Sequence, residues 1–120
     1  MQEYLDSLQA AYSHIDYDVH VGNGRDPGDD FEPNIREMAI RLSQRRIDAV
    51  AHRPDFIDII EVTLDAGLTA LGQLMVYPAL YTVAFRPPKP LRPVLVTRKF
   101  STDTEDSYRQ QGITTFIFPE

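Results

Sequence analysis

The stretch from Arg46 to Tyr77, RIDAVAHRPDFIDIIEVTLDAGLTALGQLMVY, constrains this chain more than any other. Ile47 to His52 and Ile57 to Thr63 are rich in β-branched residues, and Arg53-Pro54-Asp55-Phe56 between them carries turn chemistry. A four-residue loop pairs His52 with Ile57. Counting outward, Val50 faces Ile59, Ala49 faces Ile60, and Asp48 faces Glu61. Opposed residues hold their Cβ atoms about 5 Å apart on one face of a sheet. Two carboxylates placed so repel each other unless something compensates. A divalent cation with oxygen ligands is the natural compensator. The alternatives are a one-residue slip of register, or a carboxyl that is protonated or solvated.

Asp48 on one strand, Glu61-Val62-Thr63 on the next and Gly72-Gln73-Leu74 on the following helix resemble the PD-(D/E)XK nuclease superfamily. The phrase IIEV…GLTALGQLMVY is similar to small phage-encoded members that carry an I-E-x-K strand before a G-Q-L helix. The resemblance covers about residues 33 to 118. It implies an α/β fold, a nuclease-like three-layer sandwich with a mixed four-stranded sheet and helices on both faces. It implies that Asp48 is the metal-binding Asp, Glu61 the acidic residue of the (D/E)XK element, and Gln73 the polar residue of the next helix. Glu37 matches the Glu that the preceding helix often lends to the site, and Mg²⁺ is the cofactor of an active member.

The chain departs from the pattern at Thr63, where the family has its catalytic Lys, and at Ile47, where Pro precedes the Asp. Pro54-Asp55 falls in the loop and does not supply that Pro. The family's Lys helps position the attacking water and offsets phosphate charge. Thr63 offers a hydroxyl and no positive charge. Arg46, Arg98 and Lys99 are the candidates for a migrated cation. The set Asp48, Glu61, Thr63 and Gln73 therefore reads as a degenerate site.

One hundred and twenty residues make a single domain able to bury a core without staples, here an N-terminal helix and loop over 1–32 and a core over 33–120. The chain has no Cys, which excludes a disulfide framework and thiolate metal sites. Its N-terminus, MQEYLDSLQAAY, has acidic residues and no long apolar run, so no signal peptide is expected. No run of about 18 apolar residues predicts a membrane span. The net charge of −6 argues against a free-standing, non-specific DNA binder and suits docking on another protein, or a chain whose basic patch is local.

Leu5, Leu8, Ala11, Tyr12 and Ile15 recur at helical spacing, predicting a helix over Glu3 to Ile15, either packed on the core or an arm against a neighbouring subunit. Tyr17, Val19 and Val21 alternate with polar residues, as in a short strand. GNGRDPGDDFEP reads as a loop; its Asp26, Asp29 and Asp30 lack the spacing of an EF-hand. Pro33 opens a helix to Arg46 with Ile35, Met38, Ala39 and Leu42 as its apolar face. Asp65 to Phe85 is a helix that Pro78 kinks or interrupts, with Gly72 explained by close approach to the sheet. Gln73 and Tyr77, four apart, share a face, which places Tyr77 beside the site or in the core. The PPKPLRP stretch is an extended connection. Pro93 to Phe100 is a strand. Thr102 to Gln111 is a helix capped by Ser101 or Thr102 and ended by Gly112, and Ile113 to Phe118 is the last strand. The last two strands, joined through helices, run parallel.

Three functions follow. The first is a phage structural or assembly protein, in a virion neck, connector or capsid, that reuses a nuclease fold. It partners other phage structural proteins or itself as a homo-oligomer, in the virion or host cytoplasm, with possible DNA contact. The second is an active Mg²⁺-dependent nuclease. The third is an intracellular adaptor or inhibitor of another protein.

Overall fold

The computed structural model describes residues 14–119. The elements are β1 (His14–Val21), α1 (Pro33–Ser43), β2 (Arg45–His52), β3 (Ile57–Ala66), α2 (Leu68–Phe85), β4 (Leu91–Phe100), α3 (Glu105–Gln110) and β5 (Thr114–Ile117). They build one mixed sheet in the order β1-β2-β3-β4-β5. β1, β2 and β3 are antiparallel, whereas β3, β4 and β5 are parallel.

The central hairpin has the register that its apolar pattern predicts. His52 pairs Ile57, Val50 pairs Ile59 and Ala49 pairs Ile60. The Arg53 N–H donates to the Phe56 carbonyl at 2.9 Å and closes the turn.

The sheet has five strands, not four. The additional edge strand, β1, absorbs His14 and Ile15, which sequence periodicity assigns to the N-terminal helix; the rest of that expected helix lies outside the described residues. Over Tyr17 to Val21 the strand is the one that alternation predicts, and its extension back to His14 is set by pairing with β2.

The expected two-sided helical cover also changes. α2 contributes Tyr77 and Tyr81 to a cluster with Val21, Ile47, Val50, Ile57 and Ile59. α3 contributes Tyr108 to a cluster with Ala70 and Leu74 of α2 and Leu95 of β4. Both helices therefore lie on one face. Both parallel crossovers advance in the same direction across the sheet, and right-handed crossovers that do so leave their helices on one side. The opposite face buries Ala49, Ala51, Ile60, Val94 and Val96, packed by Ile15, Val62, Phe116 and Phe118. Among the described residues no helix joins that cluster.

Several boundaries move for identifiable reasons. α1 stops at Ser43, because Arg45 and Arg46 pair with Val21 and His20 in the sheet. The Gln44 side chain secures this exit by donating to the Gly22 carbonyl at 2.9 Å. The face of α1 expected to be buried is not: Ile35, Met38 and Leu42 are exposed, Leu42 at 72%. β3 runs on to Ala66, so α2 begins at Leu68. α2 passes through Pro78 without interruption, and the Thr82 hydroxyl donates to the Pro78 carbonyl at 2.9 Å. α3 begins after Thr104 rather than after Ser101 or Thr102, and the Thr104 hydroxyl does not cap it but lies 2.8 Å from both the Ala66 and Ser101 carbonyls.

Candidate functional site

Asp48 on β2 and Glu61 on β3 are brought together as their register requires. Regular pairing of β2 with β3 extends to Ala49–Ile60, and side chains take over at the next position. The Val62 N–H donates to Asp48 Oδ2 at 2.8 Å, and the Asp48 N–H donates to Glu61 Oε1 at 3.3 Å. Each carboxylate thus completes the backbone bonding of the other strand.

The neighbouring β1–β2 pairing is distorted at the same level. Asp18, which falls opposite Asp48, has a left-handed φ of +53°, a conformation that Asp tolerates better than most side chains. Val50 and Ile47, three apart, both join the helix-side cluster, so the two-residue alternation of β2 slips by one at Asp48. Beyond the slip, Arg45 follows Ile47 onto the helix side.

Glu61 is 4% exposed while Asp48 is exposed. Burial pushes the Glu61 carboxyl up, the charge on Asp48 adds to this, and a hydrogen bond to Asp48 favours the protonated form; the result is a pKa of about 8. Near neutral pH Glu61 therefore keeps its proton beside Asp48.

A cleft of about 330 Å³ opens over the pair, lined among others by Thr63, Asp65, Thr69 and Gln73. Gln73 and Thr69 also line an adjoining groove of about 310 Å³ with Arg45, Gly72, Val76 and Tyr77. Gln73 lies beside Tyr77 in this groove, and the Tyr77 phenol is raised above its ordinary pKa by burial first and by the Glu61 carboxylate second. Tyr77 is at once a core residue and a site neighbour, so both expectations for it meet in one side chain.

The remaining candidates make other contacts, Glu37 and Arg46 away from the cleft and Thr63, Arg98 and Lys99 at Asp65 on its rim. Glu37 is exposed on α1 and borders surface clefts with Arg41, away from the carboxylate pair. Arg46 forms a two-point bond to Asp18, both contacts 2.6 Å. Arg98 and Lys99 lie 3.7 and 3.5 Å from Asp65. The Thr63 hydroxyl donates to the Asp65 carbonyl at 3.4 Å. In the acidic loop, Asp26 and Asp29 hold Arg36.

Sequence reasoning missed Arg45. Its basic run continues the α1 pattern, and only the slip at Asp48 turns it toward Gln73 and Tyr77. It also missed Asp58, a fully buried carboxylate within the apolar run of β3 that receives two 2.7 Å bonds from Arg92. The parallel register places Arg92 directly beside Asp58, which no local pattern announces.

The donor set at the pair is all oxygen, which suits a hard cation such as Mg²⁺, commonly held by one or two carboxylates with water completing its shell. Among the described residues no group of three or more acidic or His side chains is gathered to hold a metal ion. Asp48 and Glu61 are the side chains that fit one.

No family model, no curated protein and no solved structure matches this chain.

Proposed function

We propose that this chain is a phage structural or assembly protein, acting in a virion neck, connector or capsid, that keeps a nuclease-like carboxylate pair without the means to cleave. The observation that carries this reading is the fate of the cations. Thr63 replaces the family's Lys, and the three candidates to stand in for it are bound to Asp18 or Asp65. The Asp48–Glu61 pair is left to compensate its own repulsion by holding a proton. Such a pair is stable near neutral pH and offers no activated water.

The exposed apolar residues of α1 and α2 support the assembly half of the proposal, since large apolar patches mark surfaces that other chains cover. Partners on this reading are other structural proteins of the particle or further copies of the chain, in the virion or host cytoplasm.

A second reading, an active Mg²⁺-dependent deoxyribonuclease, is favoured by Arg45. This guanidinium lines the groove next to the pair and forms no ion pair among the described residues. In that reading Asp48 and Glu61 hold the cation, which supplies Lewis acidity and an activated water when bound. Gln73 and Tyr77 orient the substrate, and Arg45 faces its phosphate.

Incubation with single- and double-stranded DNA in Mg²⁺ or Mn²⁺, beside Glu61→Ala, separates the two. The assembly reading predicts no cleavage in either protein. Metal-dependent cleavage by the parent that Glu61→Ala abolishes overturns it.

A further inference from the structure

The loop from Gly22 to Arg25 leaves β1 and meets the end of α1 and the start of β2. Between them lies a hollow of about 490 Å³, lined among others by Asn23, Arg25, Ser43 and Arg45. Among the described residues no carboxylate lines it, although the chain carries a net charge of −6. Elsewhere cations are neutralised: Arg36, Arg46, Arg92 and Arg109 each hold an Asp or Glu. Arg25 and Arg45 are exposed and form no ion pair among the described residues.

The walls of this hollow are fixed by the backbone. The Gln44 amide donates to the Gly22 carbonyl at 2.9 Å, and the Arg25 N–H donates to Ser43 Oγ. Gly24, with φ +70°, packs directly on the Ile40 carbonyl of α1. The C-terminal carbonyls of α1, the negative end of its dipole, are already occupied. The Ser43 hydroxyl lies 2.9 Å from the Ala39 carbonyl and 3.1 Å from that of Ile40, and the Gln44 N–H donates to the Arg41 carbonyl at 3.3 Å.

We propose that this hollow binds a phosphate group between the Arg25 and Arg45 guanidinium groups, as part of the backbone of a nucleic-acid strand. The inference goes beyond the assembly reading: it needs no cleavage, and it holds whether or not the carboxylate pair binds a metal. A guanidinium is always charged and presents paired donors that match phosphate oxygens. The hollow continues past Arg45. That side chain also walls the groove of about 310 Å³, which Thr69 and Gln73 carry into the cleft over Asp48 and Glu61. Connected hollows suit an extended chain better than one small molecule. Cations stand at one end, and Gln73, Thr69 and the exposed Val76 follow along the groove. A nucleic-acid strand has the same alternation, an anionic backbone beside bases with polar edges and apolar faces. An acidic peptide, which repeats carboxylates, is the competing occupant.

The test is fluorescence anisotropy of a labelled oligothymidylate against the full chain, in chelator, over a range of salt. Binding is expected to weaken as salt rises. Arg25→Ser and Arg45→Thr are each expected to weaken it by about 10-fold and to lower the salt slope by roughly 0.7, the share of one phosphate contact on a single strand. Arg109→Ser, which removes the same charge from exposed α3, is expected to leave binding unchanged. All three side chains are exposed, so the variants fold; unchanged circular dichroism checks this. In the parent, amide NMR signals of Asn23, Gly24 and Arg25 are expected to shift with the oligonucleotide.

Amide shifts with inorganic phosphate but no binding of the oligonucleotide keep the phosphate site and overturn the strand. No shift with either probe overturns the site. So does oligonucleotide binding that Arg25→Ser and Arg45→Thr leave intact, which moves the contact elsewhere. An oligoglutamate that binds as tightly as the oligonucleotide overturns phosphate in favour of an acidic chain. Cleavage of DNA that depends on Glu61, measured separately with Mg²⁺, overturns the assembly reading and leaves this site standing.

Discussion

The backbone N–H of Asp48 donates to Glu61 Oε1 at 3.3 Å, so the buried carboxyl is tied to the strand whose own side chain repels it. That tie opposes the upward shift of Glu61, but burial and the Asp48 charge outweigh it. The acid is therefore held protonated in the folded chain well above the pH at which an unfolded Glu ionises.

This sets a pH dependence of stability. Below pH 4.5 Glu61 is protonated both folded and unfolded, and contributes no slope. Between 4.5 and about 8 the unfolded chain has lost the proton that the folded chain keeps. Stability therefore falls as pH rises through that window, by up to about 1.4 kcal/mol per pH unit from this group. Above the window the loss is complete and the profile levels. Glu61→Gln, which cannot ionise, removes that slope. Urea unfolding in a chelating buffer is expected to show the variant gaining on the parent from pH 5 to pH 8. Parallel profiles contradict this.

Asp58 and Arg92 give a second expectation. Asp58 is fully buried, and its two bonds from Arg92 satisfy a charge that has left water. Arg92→Met removes both bonds from that buried carboxylate and is expected to cost about 3 kcal/mol. Adding Asp58→Leu removes the buried charge as well and recovers most of the loss. Denaturant midpoints of the single and double variants check it, and a double variant no more stable than the single one refutes it.

Two glycines part company. Gly24 has φ +70°, and a Cβ there would lie 2.3 Å from the Ile40 carbonyl oxygen. Gly24→Ala is expected to destabilise by about 2 kcal/mol, through strain and displacement of α1. Gly72→Ala meets open space and gains helix propensity, so it is expected to stabilise the isolated chain by about 1 kcal/mol. Thermal unfolding at concentrations too low for self-association measures both.

The hairpin was legible because its signals are local and agree. A four-residue turn fixes the offset, and the β-branched runs on either side leave one register that buries them. The Asp48–Glu61 pairing followed from counting alone. The parallel run of β3, β4 and β5 was legible from the helices between them. What escaped depended on distant partners. Arg45 and Arg46 continue the α1 pattern until Val21 and His20 claim them for the sheet. The amphipathic face of α1 reads as core, yet Ile35, Met38 and Leu42 stay exposed, because helical periodicity reports an apolar stripe and not what covers it. The side on which α3 lies depends on strand order, which no single segment encodes.

Carboxyl-carbon NMR of Glu61 through a pH titration, with chelator present, reads directly the proton that this buried acid keeps beside Asp48. Glu61 is expected to titrate near pH 8. A Glu61 midpoint near 4.5 would contradict this, since the pair would then need a compensating cation at neutral pH.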